Sequence, residues 1–378
     1  MKRKDFLKKG ALGAVAGVAG MGLISSCNGG GNATSGDVSA VNINTNKTFN
    51  WRMTTVWGKN FPVFGEAANK LSEWVDTMSN GRLKIKIYGA GELAPGLESF
   101  DTTSAGTTEM GAGASYYWQG KTPAASFFSV VPFGMNGQQM LSWLIGGDQE
   151  GYNLWKEVYK PFNLVPFLAG NTGVQMGGWF NKEINTVGDL KGLKMRIPGL
   201  AGKALEKAGG AAINVAPGEL YTNLERGVID ATEWVGPYHD YKLGLNKVAK
   251  YYYTPGWHEP GGQLEFFANA DEHAKLPKDL QEILWTASMR VQAWVLAEFD
   301  AQNGAYLDKL IAEGTEIREF TLPVLQALKG YTEEVINELI GTDPIANKVY
   351  KSYNAFRNKA NAWSQVTEQA YYNKILKV

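Results

Sequence analysis

The chain has 378 residues with 37 basic and 37 acidic side chains, and it is rich in aromatics, with 12 Trp, 17 Tyr and 16 Phe. That length gives room for two domains with sizeable cores. A formal charge of zero offers no basic surface to nucleic acid or to an anionic membrane, so neither is an expected partner.

Lys2, Arg3, Lys4, Lys8 and Lys9 form a basic segment ahead of an Ala- and Gly-rich run over residues 10–24. The run is shorter than the roughly 20 residues that span a bilayer, which suits a signal peptide and not a membrane helix. It ends in Ile24-Ser25-Ser26-Cys27, which resembles the lipobox of bacterial lipoproteins. Residues 3–8 also resemble a twin-arginine export signal with Lys4 in place of the second Arg, so the export route stays open. Cys27 is the only cysteine, which excludes an intrachain disulfide. Residues 1–26 are thus read as a signal peptide and Cys27 as a lipidated N-terminus. The Gly-, Asn- and Ser-rich stretch 27–47 is read as a flexible tether. Removing residues 1–26 takes five bases and one acid, leaving 32 basic against 36 acidic side chains on an extracytoplasmic, lipid-anchored protein.

From Phe49 onward strand-like and helix-like segments alternate, the pattern of an α/β protein. "FNWRMTTVW" predicts a strand, "FGEAANKLSEWVDTMSNG" a helix stopped at Gly81, and "RLKIKIYG" a second strand. Two internal echoes follow. "LKIKIYG" at 83–89 returns as "LKMRIPG" at 193–199, and "ESFDTTSAGTTE" at 98–109 returns as "ELYTNLERGVID" at 219–230, offsets of 110 and 121. They predict two similarly built lobes, lobe 1 over 48–170 and lobe 2 over 171–276, with the chain crossing between them at a hinge. The expected class is a two-lobed, periplasmic-binding-protein-like fold that closes around a ligand. Beyond Pro277 the pattern is helical to residue 378. A final segment, 344–378, carries Val349, Tyr353, Phe356, Ala360 and Trp363 on one seam. That seam either packs on its own lobe or forms a dimer through an exchanged helix.

Catalytic signatures are missing: the chain has no G-x-S-x-G, H-E-x-x-H, P-loop or G-x-G-x-x-G motif. Its three histidines, His239, His258 and His273, are too scattered for a zinc site. What remains is a polar set in aromatic surroundings. Gln175 sits in the apolar "NTGVQMGGWF", expected at the start of a buried strand, where an unpaired amide costs about 1–3 kcal/mol. Arg196 ends the strand "LKMRIPG" and is suited to clamp a carboxylate, unless it is a solvated surface Arg. Glu233 and Trp234 follow the strand "GVIDAT", and Glu259 lies in the turn-rich "PGWHEPGG", where an acid is exposed by default. Amide, carboxylate and carbonyl oxygens are hard donors, suited to Na⁺, Ca²⁺ or Mg²⁺.

Four segments, "EMGAGASYYW", "NTGVQMGGWFNKEI", "LKGLKMRIPG" and "PGELYTNLERGVIDATEWVGP", resemble the solute-binding subunits of tripartite ATP-independent periplasmic (TRAP) transporters. Within that family they are similar to the branch that binds 2-oxo and 2-hydroxy acids such as pyruvate or lactate. The resemblance implies that Arg196 pairs with the substrate carboxylate. It implies that Gln175, Glu233 and the Trp234 carbonyl hold a metal ion, Na⁺ or Ca²⁺, with Glu259 a further acidic pocket residue. A pocket tyrosine is implied as well, Tyr117 in preference to Tyr116. Delivery to a membrane permease, a homodimer through the C-terminal helix, and no enzymatic activity follow from the same resemblance. The rival readings are a receptor of the same fold for a dicarboxylate, amino acid or sugar acid, a secreted lipoprotein enzyme acting on a small acid through Glu233, and a structural or sensor lipoprotein that binds no solute.

Overall fold

Alternating apolar and polar side chains build the first strands. Strand β1 (Phe49–Thr55) buries Trp51 and Met53 and exposes Asn50 and Arg52, and β2 (Leu83–Tyr88) buries Leu83, Ile85 and Ile87 between exposed lysines. Between them helix α1 (Phe64–Met78) presents Phe64, Ala67, Ala68, Leu71 and Val75 to the interior, a stripe at three- and four-residue spacing. Gly81, at φ +76°, follows its C-terminus. The structure, a computed structural model, describes residues 47–213, 215 and 217–377. The expected signal peptide, Cys27 and the tether up to residue 46 lie outside the described residues. Among the described residues no helix is long and apolar enough to cross a membrane.

Helix α2 (Ser99–Ser104) leads to β3 (Met110–Gly113), and after a largely helical stretch β4 (Leu164–Asn171) completes the first part of the chain. There follow β5 (Gly178–Phe180), β6 (Lys194–Arg196), α3 (Gly199–Lys207), β7 (Ala211–Ala212), α4 (Leu220–Glu225), β8 (Ala231–Thr232) and α5 (Pro237–Lys242). The remaining elements are β9 (Tyr251–Thr254), β10 (Gln263–Asn269), α6 (Lys278–Ala312), β11 (Glu316–Glu319), α7 (Leu322–Thr342) and α8 (Pro344–Val366). The strands form two sheets, ordered β2-β1-β3-β10-β4 and β11-β9-β5-β8-β6-β7. The chain passes between the sheets three times, by a loop over 172–177, by a loop over 255–262, and along the 35-residue α6.

The two sheets repeat one motif, and they correct one of the two echoes. In the first sheet β1 lies between parallel neighbours β2 and β3; in the second β6 lies between parallel neighbours β7 and β8. The 121-residue echo matches this topology, because Met53 faces Met110 and Met195 faces Ala231. The turn glycines of that echo, Gly106 and Gly227, share left-handed φ values of +72° and +68°. The 110-residue echo does not match: it equates β2 with β6, whereas the partner of β6 is β1. Both β2 and β6 are short apolar-alternating strands, and similarity at period two carries no information on position within a sheet.

The region after Pro277 is not wholly helical. Strand β11 joins the edge of the second sheet beside β9, and α6 packs on β4 of the first sheet and on α5, which follows the second. The seam of α8 divides. Val349 and Tyr353 are buried, with the Tyr353 hydroxyl accepting from the Met135 N–H at 2.9 Å, whereas Trp363 is 68% exposed.

A buried acid lies at the middle of the first sheet. Glu265, on β10, accepts from Trp118 Nε1 at 2.5 Å and from the Tyr159 hydroxyl at 2.8–2.9 Å. Burial pushes its pKa up to about 7 from an ordinary 4.5, with Trp118, Tyr159 and Ser115 pulling it back. Between those values the folded chain keeps a proton that the unfolded chain has released. Its contribution is therefore full below about 4.5 and is lost as pH rises towards about 7, at no more than ~1.4 kcal/mol per unit. Glu265→Gln should flatten the decline in folding stability between these limits, measured by urea denaturation; an unaltered slope would contradict the assignment.

Candidate functional site

The two loop crossings each bring one predicted residue to the same place. Gln175 lies on the first, in an irregular segment and not at a strand start as expected, and Glu259 lies on the second. The Gln175 N–H donates to the Glu259 carbonyl at 3.1 Å, and its Nε2 donates to Glu259 Oε2 at 2.7 Å and to Thr172 Oγ1 at 3.0 Å. Thr172 in turn accepts from the Gly262 N–H at 3.0 Å. Gly262 is required here, because a Cβ would stand 2.5 Å from Glu259 Oε2. These bonds fix the amide: its nitrogen faces two acceptors, and its Oε1 is buried with no hydrogen-bond partner. The default reading of Glu259 as exposed is overturned. It is 4% exposed, since the turn that carries it folds inward against the first crossing.

Arg196 and Glu233 come from adjacent parallel strand ends of the second sheet. The Glu233 N–H donates to the Arg196 carbonyl at 3.2 Å, and the Arg196 guanidinium pairs with Glu233 Oε1. Both are buried, so Arg196 is not a solvated surface residue. Its guanidinium carbon lies 5.2 Å from the Trp234 ring centroid, and its Nε has no partner. Burial alone would lower the Arg196 pKa, but Glu233, Tyr117, Tyr116 and Glu259 outweigh it and raise the value. Burial and then the Glu233 charge push Glu259 well above the usual carboxylate range, against Arg196, Tyr116 and Gln175.

A second layer holds these groups in place. Trp234 Nε1 donates to His239 Nδ1 at 2.9 Å, and His239 Nε2 donates to the Pro62 carbonyl at 2.6 Å, reaching the N-terminal end of α1. Burial lowers the His239 pKa to about 4, against the Pro62 bond, so the ring is neutral and serves both bonds at once. Asp240 accepts from the Val235 and Gly236 N–H groups, each at 3.1 Å, and from Trp179 and Tyr252, which fixes the backbone just after Trp234. His258 Nε2 lies 3.3 Å from Glu233 Oε2. Thr172, His239, Asp240 and His258 were not picked out from the sequence. The histidines were weighed only as zinc ligands; the adjacency of His258 to Glu259 was the one available signal.

Tyr116, Tyr117, Gln175, Arg196, Trp234 and Glu259 all line one cavity of about 300 Å³. Both tyrosines reach it, so the preference for Tyr117 over Tyr116 does not hold as a choice. Trp57, Phe64 and Leu264 add apolar wall. Glu233 is held against Arg196 by their ion pair. Among the described residues no three His, Cys, Asp or Glu side chains converge, so any metal would rest on a mixed set of oxygen donors.

Two sheets joined by crossing segments, with a buried polar set beside the crossings, are the plan of a two-lobed solute-binding protein. The sequence model of bacterial extracellular solute-binding protein, family 7 (DctP), matches residues 53–342, and the chain belongs to that family. It is 44% identical over 348 residues to the monocarboxylate 2-oxoacid-binding periplasmic protein of Nostoc sp., which covers 90% of this chain and 94% of that one. A TRAP periplasmic solute-binding protein from Colwellia psychrerythraea, solved with calcium and pyruvate, is 42% identical at a TM-score of 0.84, covering 86% of this chain and 99% of its own. One from Pseudoalteromonas atlantica, solved with sodium and pyruvate, is also 42% identical at 0.84, with 87% and 99% covered.

Proposed function

We propose that this chain is the solute receptor of a TRAP transporter. It binds a small monocarboxylate, a 2-oxo or 2-hydroxy acid such as pyruvate or lactate, together with a metal ion, and delivers the acid to a membrane permease. No bond of the solute is made or broken.

One observation carries the reading. A single cavity holds a buried guanidinium nitrogen with no acceptor and a buried amide oxygen with no donor, Arg196 Nε and Gln175 Oε1. Buried polar atoms without partners call for explanation, and an anion answers the first while a cation answers the second. A 2-oxo acid suits both, since it carries a carboxylate for the guanidinium and a neighbouring oxygen for the cation. Gln175, Glu233, Glu259 and the Trp234 carbonyl are the oxygen donors for that cation. A cation beside Glu259 would ionise it, and the resulting pair of carboxylates favours Ca²⁺ over Na⁺. The metals and pyruvate held by the two relatives at 42% identity support the assignment.

The signal peptide of residues 1–26 and lipidation at Cys27 would hold the receptor at the outer face of the cytoplasmic membrane. A second copy of the chain is the proposed cover for the apolar end of α8 and beyond, where Trp363, Val366, Tyr372 and Ile375 are each at least 61% exposed.

Calorimetry with pyruvate tests the clamp. Arg196→Lys keeps the charge but loses the planar fork, and affinity should fall by at least roughly tenfold; equal affinity would refute the assignment. Chelation and removal of sodium should abolish pyruvate binding, with recovery on adding Ca²⁺, whereas binding without metal would refute the ternary site. Sedimentation of residues 28–378 should give a dimer. Trp363→Glu with Ile375→Glu should give a monomer that still binds pyruvate, and a monomeric native chain would refute the helix-mediated pair.

A further inference from the structure

Tyr116 and Tyr117 do not merely line the cavity around Arg196. They are also the wall of a second, more open space of about 600 Å³. That outer space is lined by Ile197, Pro198, Gly199 and Ala212 together with the polar Gln119, Lys203 and Glu206. Both tyrosines are half-buried, as befits a partition with space on either side.

The partition is built from two parts of the chain. Tyr116 comes from the turn after β3, and its ring centroid is 4.7 Å from that of Tyr117. On its other side it meets the start of α3: a Cβ on Gly199 would lie 3.4 Å from Tyr116 Cβ and 3.6 Å from Cγ. Gly199 has φ +66°, a conformation that suits glycine, so the helix start lies against the ring with no side chain between them. The inner cavity encloses about 300 Å³ and the outer space about 600 Å³, with Ile197, Pro198 and Ala212 in the outer wall.

We propose that Tyr116 sets the chain-length limit of the bound acid, by separating the inner cavity at Arg196 from an outer space of mixed polarity, where Ile197, Pro198 and Ala212 would otherwise take an aliphatic tail. This rests on the reading of the inner cavity as a 2-oxo acid site. Short acids fit within the partition. Longer straight-chain 2-oxo acids collide with the ring, although the space for their tails exists behind it.

The test is the ratio of dissociation constants for 2-oxooctanoate and pyruvate, measured by calorimetry with Ca²⁺ present. The native chain should bind pyruvate and bind 2-oxooctanoate at least tenfold more weakly. Tyr116→Ala joins the two spaces, and each methylene that then reaches the outer space gains up to roughly fourfold, so the ratio should fall by tenfold or more. Tyr116→Phe keeps the ring, and its ratio should stay native whatever happens to absolute affinity. If Tyr116→Ala fails to fold or loses pyruvate, Tyr116→Leu, a shorter wall, carries the same comparison. An unchanged ratio in the shortened variant overturns the proposal, as does a native chain that already accepts 2-oxooctanoate as well as pyruvate. Failure of the native chain to bind any 2-oxo acid would instead refute the proposed function, and this inference with it.

Discussion

A guanidinium taken out of water must be paired, and the site is organised around that demand. Arg196 is 2% exposed at the end of a three-residue strand, and the residue just after the neighbouring strand β8 supplies the partner acid. Breaking such a pair by removing one member typically costs several kcal/mol, because the other charge stays buried and uncompensated. Glu233 is therefore fixed by register, since Arg196 faces Thr232 and the next residue carries the carboxylate. Trp234 then falls beside the guanidinium, and Asp240 and His239 fix the backbone and the indole behind it.

The repeat between the two sheets gives this arrangement its asymmetry. Through the shared register, Arg196 corresponds to Thr54, Glu233 to Ala112 and Trp234 to Gly113. One sheet thus carries charge where the other carries small residues. The aromatic walls, Trp57, Phe64 and the tyrosine pair, come from the first part of the chain, so the cavity has a charged side and an apolar side.

Much of this was legible in the residues. Period-two and helical stripes located β1, α1 and β2, and the second echo located the helix–Gly–strand units, because those patterns follow burial directly. Arg196, Gln175, Glu233 and Trp234 stood out as polar groups next to apolar strands, and the structure brings them together. Irregular segments hid the rest. Gln175 and Glu259 lie in loops whose burial comes from pairing with each other, and no local periodicity reports a contact 84 residues away. His239 and Asp240 act through backbone and indole groups, a role without a sequence pattern. Strand β11 was missed because its half-buried residues, Glu316–Glu319, are mostly charged.

The bonds between Gln175, Thr172, Glu259 and Gly262 join the two loop crossings into one strap. In a two-part body, the connecting strap is the axis about which the halves turn, and points on an axis travel least. Gln175 and Glu259, bonded to each other, would stay together through such a rotation, while Arg196 on the second sheet and Tyr116 after β3 of the first would move relative to one another. The strap thus holds only part of the cavity wall, and the rest comes from the sheets on either side of it.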